Sequence, residues 1–412
     1  MSGSEASGAP GQTRSGPQGQ TSPATPGAAS PGTATAPTPG PVGVALRPTA
    51  KALPGQSRTH NKALVLRTLF HDSPLSRADL ARRTKLTRVS ISDLIAELIE
   101  AGLVEELGPR TESRIGKPAA LLGLDAAKSA IVAIDLSNTE TAHGAVLNLR
   151  GEPLAKRKVA IGGATGQQAL TKVSNLAKQL ISQAKSTPVI GLGVASPGIV
   201  TQTGTVEFAT DFEWRHLPLA EHLAKCLGIP CHVGNDANLR ALAEFTFGGA
   251  SAAGLMVITI ERGLGAGILL DGVLLQGRSF AAGEIGHLSA MVDGDRCVCG
   301  RYGCLETVLS KPALQALGTA AATANPQLDA VGQAAAVVLA PIASALNLTD
   351  LVFCDPSGLV TQALLDAIGQ AIAARVLPTI SADLTIRIST LGGKAALLGA
   401  TALVLSEELG IT

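Results

Sequence analysis

Residues 254–272 read GLMVITIERGLGAGILLDG, and this stretch decides the fold. Its two apolar runs, separated by a charged pair and a glycine-rich segment, predict two buried strands joined as a hairpin. Residues 130–149, AIVAIDLSNTETAHGAVLNL, repeat the pattern, with a first strand that ends on Asp135. Two such hairpins, each opening a region of alternating strands and helices, indicate an internal duplication. The sequence therefore predicts an α/β protein of two lobes, with a cleft between them that suits a ligand.

A histidine and three cysteines follow the second hairpin within one short segment. Residues 283–287 read GEIGH and residues 297–306 read CVCGRYGCLE. Tetrahedral zinc readily binds three thiolates and one imidazole, usually in a structural role. The alternatives are buried thiols or a disulfide, but cysteines one residue apart rarely bridge each other. The pattern predicts a structural Zn²⁺ bound by His287, Cys297, Cys299 and Cys304.

The composition of the chain limits its class. The first 57 of the 412 residues are almost all small, polar or proline, so we expect a disordered tail over residues 1–57. This tail has neither the basic start nor the apolar run of a secretory signal. The Ala-rich run at 334–339, closed by Pro341, is too short to span a bilayer and predicts a core helix. We therefore expect a cytoplasmic protein, in which thiols stay reduced and available to metal.

Basic residues are concentrated near the start of the folded region. Between residues 58 and 92, eight Lys and Arg residues stand against two Asp residues, in a chain whose net charge is only +1. Such a block favours an anionic polymer as the partner, although a solvated helix face is the simpler alternative.

The same segment predicts three helices and two strands. The helices are expected at 61–70, at 77–83 after a capping box formed by Ser76 and Asp79, and at about 87–101, with Val89 among its buried residues. Strands at 103–107 and 119–124 flank a polar loop. This order predicts a winged helix-turn-helix domain over residues 58–124 that binds double-stranded DNA, with a helical protein–protein module as the alternative.

The third helix of such a domain enters the major groove by its N-terminal end. Arg88 lies there and can read a guanine edge or bind a phosphate. Basic residues of the wing loop are expected at phosphates or in the minor groove. The predicted DNA-binding residues are Thr87, Arg88, Ser90, Ser92, Arg114 and Lys117.

Five motifs, taken in order, resemble the ROK family, which contains sugar kinases and transcriptional repressors. They are GVASPG at 193–198, NDAN at 235–238, the glycine run at 263–267, the Glu284-x-x-His287 pair and the cysteine segment at 297–306. The resemblance runs from about residue 58 to the end, and members with an N-terminal winged helix form the repressor branch. It implies a two-lobed actin-like, ribonuclease-H-like ATPase (sugar kinase) fold for residues 125–412.

The resemblance also implies roles for the matching positions. His287 would bind zinc through one ring nitrogen and offer the other to the sugar. In kinase members, the aspartate at the position of Asp236 deprotonates the hydroxyl that attacks the nucleotide phosphate. The sugar-binding residues implied in this way are Asn235, Asp236, Glu284, His287 and Glu306.

The nucleotide half of the site departs from the family pattern. Kinase members begin with Asp-x-Gly-Gly-Thr, whereas residues 135–139 read DLSNT and lack both glycines, which allow backbone amides to approach phosphate closely. Glu261 and Arg262 stand where the second loop usually has Gly-Thr, so a carboxylate faces the phosphate region, and Arg262 is a candidate to offset its charge. The nucleotide loop built on Asp135, Gly263 and Gly265 is therefore expected to be degenerate.

These features predict a DNA-binding transcriptional regulator without kinase activity, by default a repressor of carbohydrate-metabolism genes. A sugar or sugar phosphate would be its effector. Binding of this ligand is expected to release the protein from DNA. A homodimer or homotetramer is expected because operator half-sites mirror protein symmetry. Two other readings stay open. One is an ATP-dependent, glucokinase-like sugar kinase that carries a DNA-binding domain, with Asp236 catalytic, and the other is a zinc protein without a sugar ligand.

Overall fold

The computed structural model describes residues 57–109, 120–318 and 326–411. The predicted disordered tail therefore falls outside the described residues, except for Ser57. Arg114 and Lys117, the two predicted DNA contacts in the polar loop, also lie outside them.

The N-terminal elements form three helices and a small antiparallel sheet with the strand order β1-β3-β2. The predicted capping box is confirmed, since the Ser76 hydroxyl accepts a hydrogen bond from the Asp79 amide and the Asp79 carboxylate accepts one from the Ser76 amide. The expected burial of Val89 is wrong: its side chain is 72% exposed. The elements are α1 (Ser57–Asp72), β1 (Leu75–Ser76), α2 (Arg77–Thr84), α3 (Arg88–Glu100), β2 (Val104–Pro109) and β3 (Ala120–Leu124).

The first lobe is built on a five-stranded sheet with the order β11-β7-β4-β5-β6. Its central strand, β4, pairs antiparallel with β5 and parallel with β7. Helix α4 packs its apolar face on this sheet. The elements are β4 (Ala130–Asp135), β5 (Thr141–Asn148), β6 (Pro153–Ala160), α4 (Gly166–Gln183), β7 (Val189–Ser196), β8 (Ile199–Val200), β9 (Val206–Ala209), β10 (Trp214–Leu217), α5 (Leu219–Leu227) and β11 (Cys231–Asn235).

The second lobe repeats the arrangement, which confirms the predicted duplication. In its five-stranded sheet, ordered β14-β13-β12-β15-β16, strand β12 pairs antiparallel with β13 and parallel with β15. Helix α6 connects the two lobes. The elements are α6 (Asp236–Thr246), β12 (Gly254–Ile260), β13 (Leu264–Leu270), β14 (Val273–Leu274), α7 (Glu306–Leu309), α8 (Lys311–Leu317), α9 (Pro326–Leu346), β15 (Asp350–Cys354), α10 (Gln362–Ala373), α11 (Pro378–Asp383), β16 (Thr385–Ile388) and α12 (Ala395–Leu409).

Helix α9 is long and apolar enough to cross a membrane by length and composition. In the structure it packs in the core of the second lobe, as expected for the Ala-rich run, with Ala335, Ala336 and Leu339 fully buried. A core helix passes the same length and hydropathy test, so the helix does not indicate a membrane protein.

Helices α6 and α12 lie side by side between the lobes. Helix α12 also contacts β4, β7 and β11 of the first lobe, while α6 contacts β12 and β13 of the second. The helices approach so closely at Gly399 that a Cβ there would lie 1.9 Å from the Leu239 carbonyl oxygen. The pair therefore forms a packed connection on which both sheets rest.

The N-terminal unit shares an apolar cluster with the first lobe and the C-terminal helix. Val65 and Leu69 of α1 are fully buried in the same cluster as Val404 and Leu405 of α12 and Leu149, which follows β5. Close-packed interfaces of this kind transmit displacement because they hold little free volume. A displacement of α1 or of α12 therefore also displaces the residues that the helix contacts in this cluster.

Candidate functional site

The histidine and the three cysteines of the candidate metal site come together in the structure. The ligand atoms of His287, Cys297, Cys299 and Cys304 all lie within 4.8 Å of one another. The Nδ1 atom of His287 is 3.4 Å from the Cys297 sulfur, and the Cys299 and Cys304 sulfurs are 3.6 Å apart. Because Nδ1 faces the thiols, Nε2 is the ring nitrogen left for another partner.

The chemistry of this donor set fits a metal. Burial raises the pKa of the Cys297 thiol to about 12 and also raises that of Cys304. Hydrogen bonds from Arg301 instead lower the pKa of the exposed Cys299 thiol to about 6. Two buried thiols lose their protons only when a cation compensates the charge, and three thiolates with one imidazole are a preferred ligand set of Zn²⁺. The cluster could therefore bind a metal ion.

Gly283 sets the position of the residues that lead into this cluster. Its φ of 98° lies in the region that favours glycine, and a Cβ there would be 1.9 Å from the Ala266 carbonyl oxygen on β13. The chain passes directly over the strand and then makes a single 3-10 turn, Ile285–His287. Glu284 and His287, at the two ends of this turn, are thereby fixed relative to the second sheet.

Glu284 interacts electrostatically with His287, Asp236 and Glu306. Desolvation raises the pKa of Glu284, the negative charges of Asp236 and Glu306 raise it further, and His287 acts in the opposite direction. Four of the five residues implied as sugar-binding are therefore near enough for three of them to influence the pKa of Glu284. Carboxylates accept hydrogen bonds and an imidazole can donate or accept one, each in a fixed direction, which suits the hydroxyl groups of a sugar.

Asn235 and Asp236 enter this space from the start of α6. Asn235 is the N-cap of the helix, where its side-chain oxygen accepts a hydrogen bond from the Asn238 amide at 3.0 Å and its amide nitrogen donates to the Gly198 carbonyl at 2.8 Å. The Asp236 Oδ1 atom accepts a hydrogen bond from the Ala237 amide at 3.0 Å. Both side chains are only half-buried, so they are held in position and remain accessible to a ligand.

Glu306 connects the cysteine segment to the glycine-rich loop. Its Oε2 atom accepts a hydrogen bond from the Leu264 amide at 3.0 Å, and Oε1 lies 3.7 Å from the Cys297 sulfur. A Cβ at Gly263 would lie 2.8 Å from Oε2, so this contact needs the glycine. Loss of the metal site would therefore also affect the position of Glu306.

Sequence analysis missed Arg240, which organises the other half of the cleft. Its side chain is 2% exposed and carries ion pairs to Asp236 at 3.3 Å and to Glu261 at 3.1 Å. It also donates a hydrogen bond to the Ser137 hydroxyl at 3.1 Å. Although burial alone would lower it, the pKa of Arg240 is raised because Asp236, Asp135 and Glu261 surround the guanidinium.

The predicted role of Arg262 is wrong, because Arg240 is the cation that faces Glu261. Arg262 points elsewhere, at 3.3 Å from the Thr139 hydroxyl and 3.6 Å from the Asp211 carboxylate, and its side chain is 71% exposed. One sequence signal could have identified the network, since Asp236 and Arg240 are four residues apart on a predicted helix and so share a face.

Residues 135–139 form a turn that is closed by its own side chains. The Ser137 amide and hydroxyl both donate to Asp135 Oδ1, at 2.9 and 2.6 Å. Burial raises the pKa of Glu261, which lies across the cleft from this turn and is paired with Arg240. The polar groups of Asp135, Ser137 and Glu261 are therefore engaged with one another through Arg240.

Most cations of the basic N-terminal block have nearby counter-ions. Ion pairs join Arg58 and Lys62 to Glu97, Arg77 to Glu106, Arg82 to Asp79, and Arg83 to Asp72. Two exposed cations, Lys85 and Arg88, form no ion pair with any residue that the structure describes. Lys85 precedes α3 and Arg88 is its first residue, so the two exposed unpaired cations lie at the N-terminal end of α3. Arg67 of α1 also forms no ion pair with a described residue, but it is half-buried.

The other predicted DNA contacts at the start of α3 are partly used within the helix. The Thr87 hydroxyl accepts a hydrogen bond from the Ser90 amide at 3.1 Å and lies 2.9 Å from the Ser90 hydroxyl. The Ser92 hydroxyl donates to the Arg88 carbonyl at 3.0 Å. These bonds define the N-terminus of α3, where the exposed side chains also include Arg88, Val89 and Asp93.

The duplicated lobes, with a carboxylate-lined and cysteine-flanked cleft between them, define a protein of sugar-kinase architecture. More specifically, the chain belongs to the ROK family, whose family model matches residues 131–407. The motifs of the sequence led to the same family.

Two related structures extend this assignment. A ROK family transcriptional regulator described as a homologue of the E. coli Mlc protein has a TM-score of 0.76 and 27% identity, covering 86% of this chain and 97% of that one. A ROK family glucokinase from Streptomyces griseus, in complex with glucose and AMPPNP, has a TM-score of 0.56 and 25% identity, covering 67% of this chain and 99% of that one. The regulator thus matches over a larger share of the chain than the kinase does.

A xylose repressor from Caldicellulosiruptor bescii is 32% identical over 262 residues, or 62% of this chain. The match spans 64% of the length of that repressor.

Proposed function

We propose that the protein is a sugar-responsive transcriptional repressor of carbohydrate-metabolism genes, acting as a homodimer or homotetramer in the cytoplasm. Residues 58–124 would form a winged helix-turn-helix that binds operator DNA, with Arg114 and Lys117 in its wing. The likeness to a ROK transcriptional regulator over 86% of the chain and to a xylose repressor supports this proposal. The effector would be a sugar or sugar phosphate bound by Asn235, Asp236, Glu284, His287 and Glu306, beside a structural Zn²⁺.

One observation carries the proposal: the helix that presents Asn235 and Asp236 to the cleft ends against the N-terminal unit. Helix α6 begins at Asp236, and its C-cap Phe247 meets Phe70 of α1 edge to face, with ring centroids 6.0 Å apart. A ligand that displaces the first turn of α6 therefore acts on α1 through a helix of only 11 residues. Allosteric coupling needs such an element with two arrangements of different ligand affinity.

Kinase activity is the second candidate function. The ion pairs of Arg240 with Asp236 and Glu261 argue against it. A transferred phosphoryl group is stabilised by cations and backbone amides that are free to face it. In the cleft, Asp135 and Glu261 add negative charge, and the cation that faces them, Arg240, is already paired. We therefore propose that Asp236 binds sugar without serving as a catalytic base. An assay of ATP-dependent phosphorylation with glucose, xylose, mannose and N-acetylglucosamine tests this directly.

We expect one member of a panel of sugars and sugar phosphates, with xylose tested first, to bind and to change operator affinity in gel-shift titrations. Glu284→Gln should weaken that binding about tenfold or more, because a hydrogen bond to a charged group contributes about 1.5–3 kcal/mol. Isothermal titration calorimetry measures the change, with the exposed Glu213→Gln as the matched control. If no sugar altered operator binding, the proposed effector role would be wrong.

A second prediction concerns Arg150, which holds the N-terminal unit on the first lobe. Its guanidinium donates to the Phe70 carbonyl at 2.6 Å and to the Ser73 hydroxyl at 2.9 Å, and lies over the Phe70 ring at 5.3 Å. Arg150→Ala should leave sugar affinity unchanged and reduce the effect of sugar on operator binding, which is typically about 5–150-fold in coupled systems. Calorimetry and gel shifts on the same preparations separate the two quantities, and Arg157→Ala on the exposed strand β6 is the control. If Arg150→Ala left the effect of sugar on operator binding undiminished, the contact between Arg150 and Phe70 would not be needed for that effect.

A further inference from the structure

Val89 is a large apolar side chain in an unexpected position. It occupies the second residue of α3 and is 72% exposed, whereas Ile91, Leu94, Ile95 and Leu98 of the same helix are buried. Residues two apart on a helix point to nearly opposite sides, so Val89 faces away from the core that Ile91 enters. Single exposed apolar residues are common on proteins, and exposure alone assigns no role.

The surroundings of Val89 identify what it faces. Arg88 directly precedes Val89 and Lys85 lies four residues before it, and neither cation forms an ion pair among the described residues, whereas five neighbouring cations are paired. The exposed carboxylate of Asp93 follows one helical turn later. The remaining positive charge therefore attracts a polyanion to this turn of α3 in particular. An exposed apolar side chain that follows two such cations at the start of a helix is positioned to enter a groove whose edges carry phosphates.

The hydroxyl groups beside Val89 use part of their hydrogen-bonding capacity within α3. Thr87 and Ser90 are bonded to each other at 2.9 Å, and Ser92 donates to the Arg88 carbonyl. Among the base edges of the major groove, only thymine presents a methyl group, and apolar side chains recognise it by contact.

Resting on the proposed DNA-binding function, we propose that Val89 is a specificity-determining residue that packs against the C5 methyl group of a thymine in each operator half-site. Arg88 and Lys85 supply the attraction, and Val89 adds discrimination among sequences. The contact excludes water from the C5 methyl group of thymine and from the two methyl groups of Val89.

The test begins with selection of binding sites by the full-length protein from random duplex DNA. Each thymine of the selected sequence is then replaced singly by deoxyuridine, which removes only the C5 methyl group. One thymine per half-site should be sensitive, with affinity falling about fourfold, the value expected for one buried methyl group. Val89→Ala should lower affinity for the thymine duplex by a similar factor and bind the thymine and uracil duplexes equally. Val89→Ile should keep the preference for thymine.

Several outcomes would overturn the inference. They are a selected half-site without thymine, a thymine scan in which no deoxyuridine weakens binding, and a Val89→Ala protein that keeps the full preference for thymine. The scan on the unmodified protein decides the question even if a variant folds poorly. If the protein does not bind specific DNA, the selection will enrich no sequence, and both the proposed function and this inference will be wrong. If the selection enriches a sequence but no thymine methyl group matters, only this inference will be wrong.

Discussion

Replacing Arg240 with methionine is expected to lower the free energy of unfolding by about 3–5 kcal/mol, the cost of leaving buried partner charges uncompensated. The guanidinium is nearly inaccessible and pairs with Asp236 and Glu261. Methionine fills much of the same volume, so the loss reflects charge more than an empty cavity. Denaturant titration of the purified protein, followed by fluorescence and circular dichroism, measures the change.

Arg262 provides the matched control for this variant. Arg262 follows Glu261 directly in the sequence, but its side chain is 71% exposed and its ion pair with Asp211 is 3.6 Å long. Arg262→Met should change stability by no more than about 1 kcal/mol, as is usual for exposed pairs. Equal effects of the two substitutions would show that the Arg240 network does not hold the lobes together.

A double-mutant cycle separates the charges within the network. Glu261→Gln removes one of the carboxylates that Arg240 compensates, so part of the loss in Arg240→Met should be recovered in the double variant. The carboxylate of Asp236 stays uncompensated in both proteins, so recovery is incomplete. Strictly additive effects would mean that the 3.1 Å contact between Arg240 and Glu261 contributes no coupling energy.

The fold could be predicted from the two hairpins because strand pairing leaves a direct pattern in the sequence. The apolar runs at 130–149 and 254–272 became β4–β5 and β12–β13, each with a parallel neighbour. The cysteine and histidine cluster was predictable for a similar reason, since short spacing brings ligand atoms together almost regardless of the surrounding fold. The meeting of Asp236 with Glu284 and Glu306 came only from the family resemblance, because distant segments converge through tertiary structure.

The missed role of Arg240 and the wrong burial of Val89 also have physical causes. Arg240 was missed because a buried arginine is rare, and two of the carboxylates that offset its burial, Asp135 and Glu261, are remote in sequence. Val89 was assigned to the core by hydrophobicity alone, although its spacing from Ile91 places it on the opposite side of α3. A polar or charged residue in a core and an apolar residue on a surface both depart from the sequence pattern, and such departures tend to occur where a protein acts on a ligand.

On the proposal that the cysteine and histidine cluster binds Zn²⁺, removing the ion is expected to weaken the sugar response before it affects DNA binding. Zinc bound through Nδ1 would fix the orientation of the His287 ring, so that Nε2 faces the sugar. Cys299→Ser, or treatment with a chelator, should lower the metal content and reduce sugar affinity about tenfold or more. Cys299 is exposed, so its substitution disturbs packing less than substitution of the buried Cys297 or Cys304. Elemental analysis and calorimetry on the same samples measure both quantities.

Operator affinity without sugar should be unchanged in Cys299→Ser, because the N-terminal unit packs on α12 and the first lobe, in a cluster that contains none of the metal-site residues. Cys226→Ser is the matched control, since Cys226 is also an exposed thiol but lies outside the cluster. A loss of operator binding with sugar affinity intact would contradict this assignment and would make the metal a support for the DNA-binding elements. A loss of sugar affinity in Cys299→Ser alone would instead tie the metal to the cleft, through the Nδ1 contact of His287 and the Cys297 contact of Glu306.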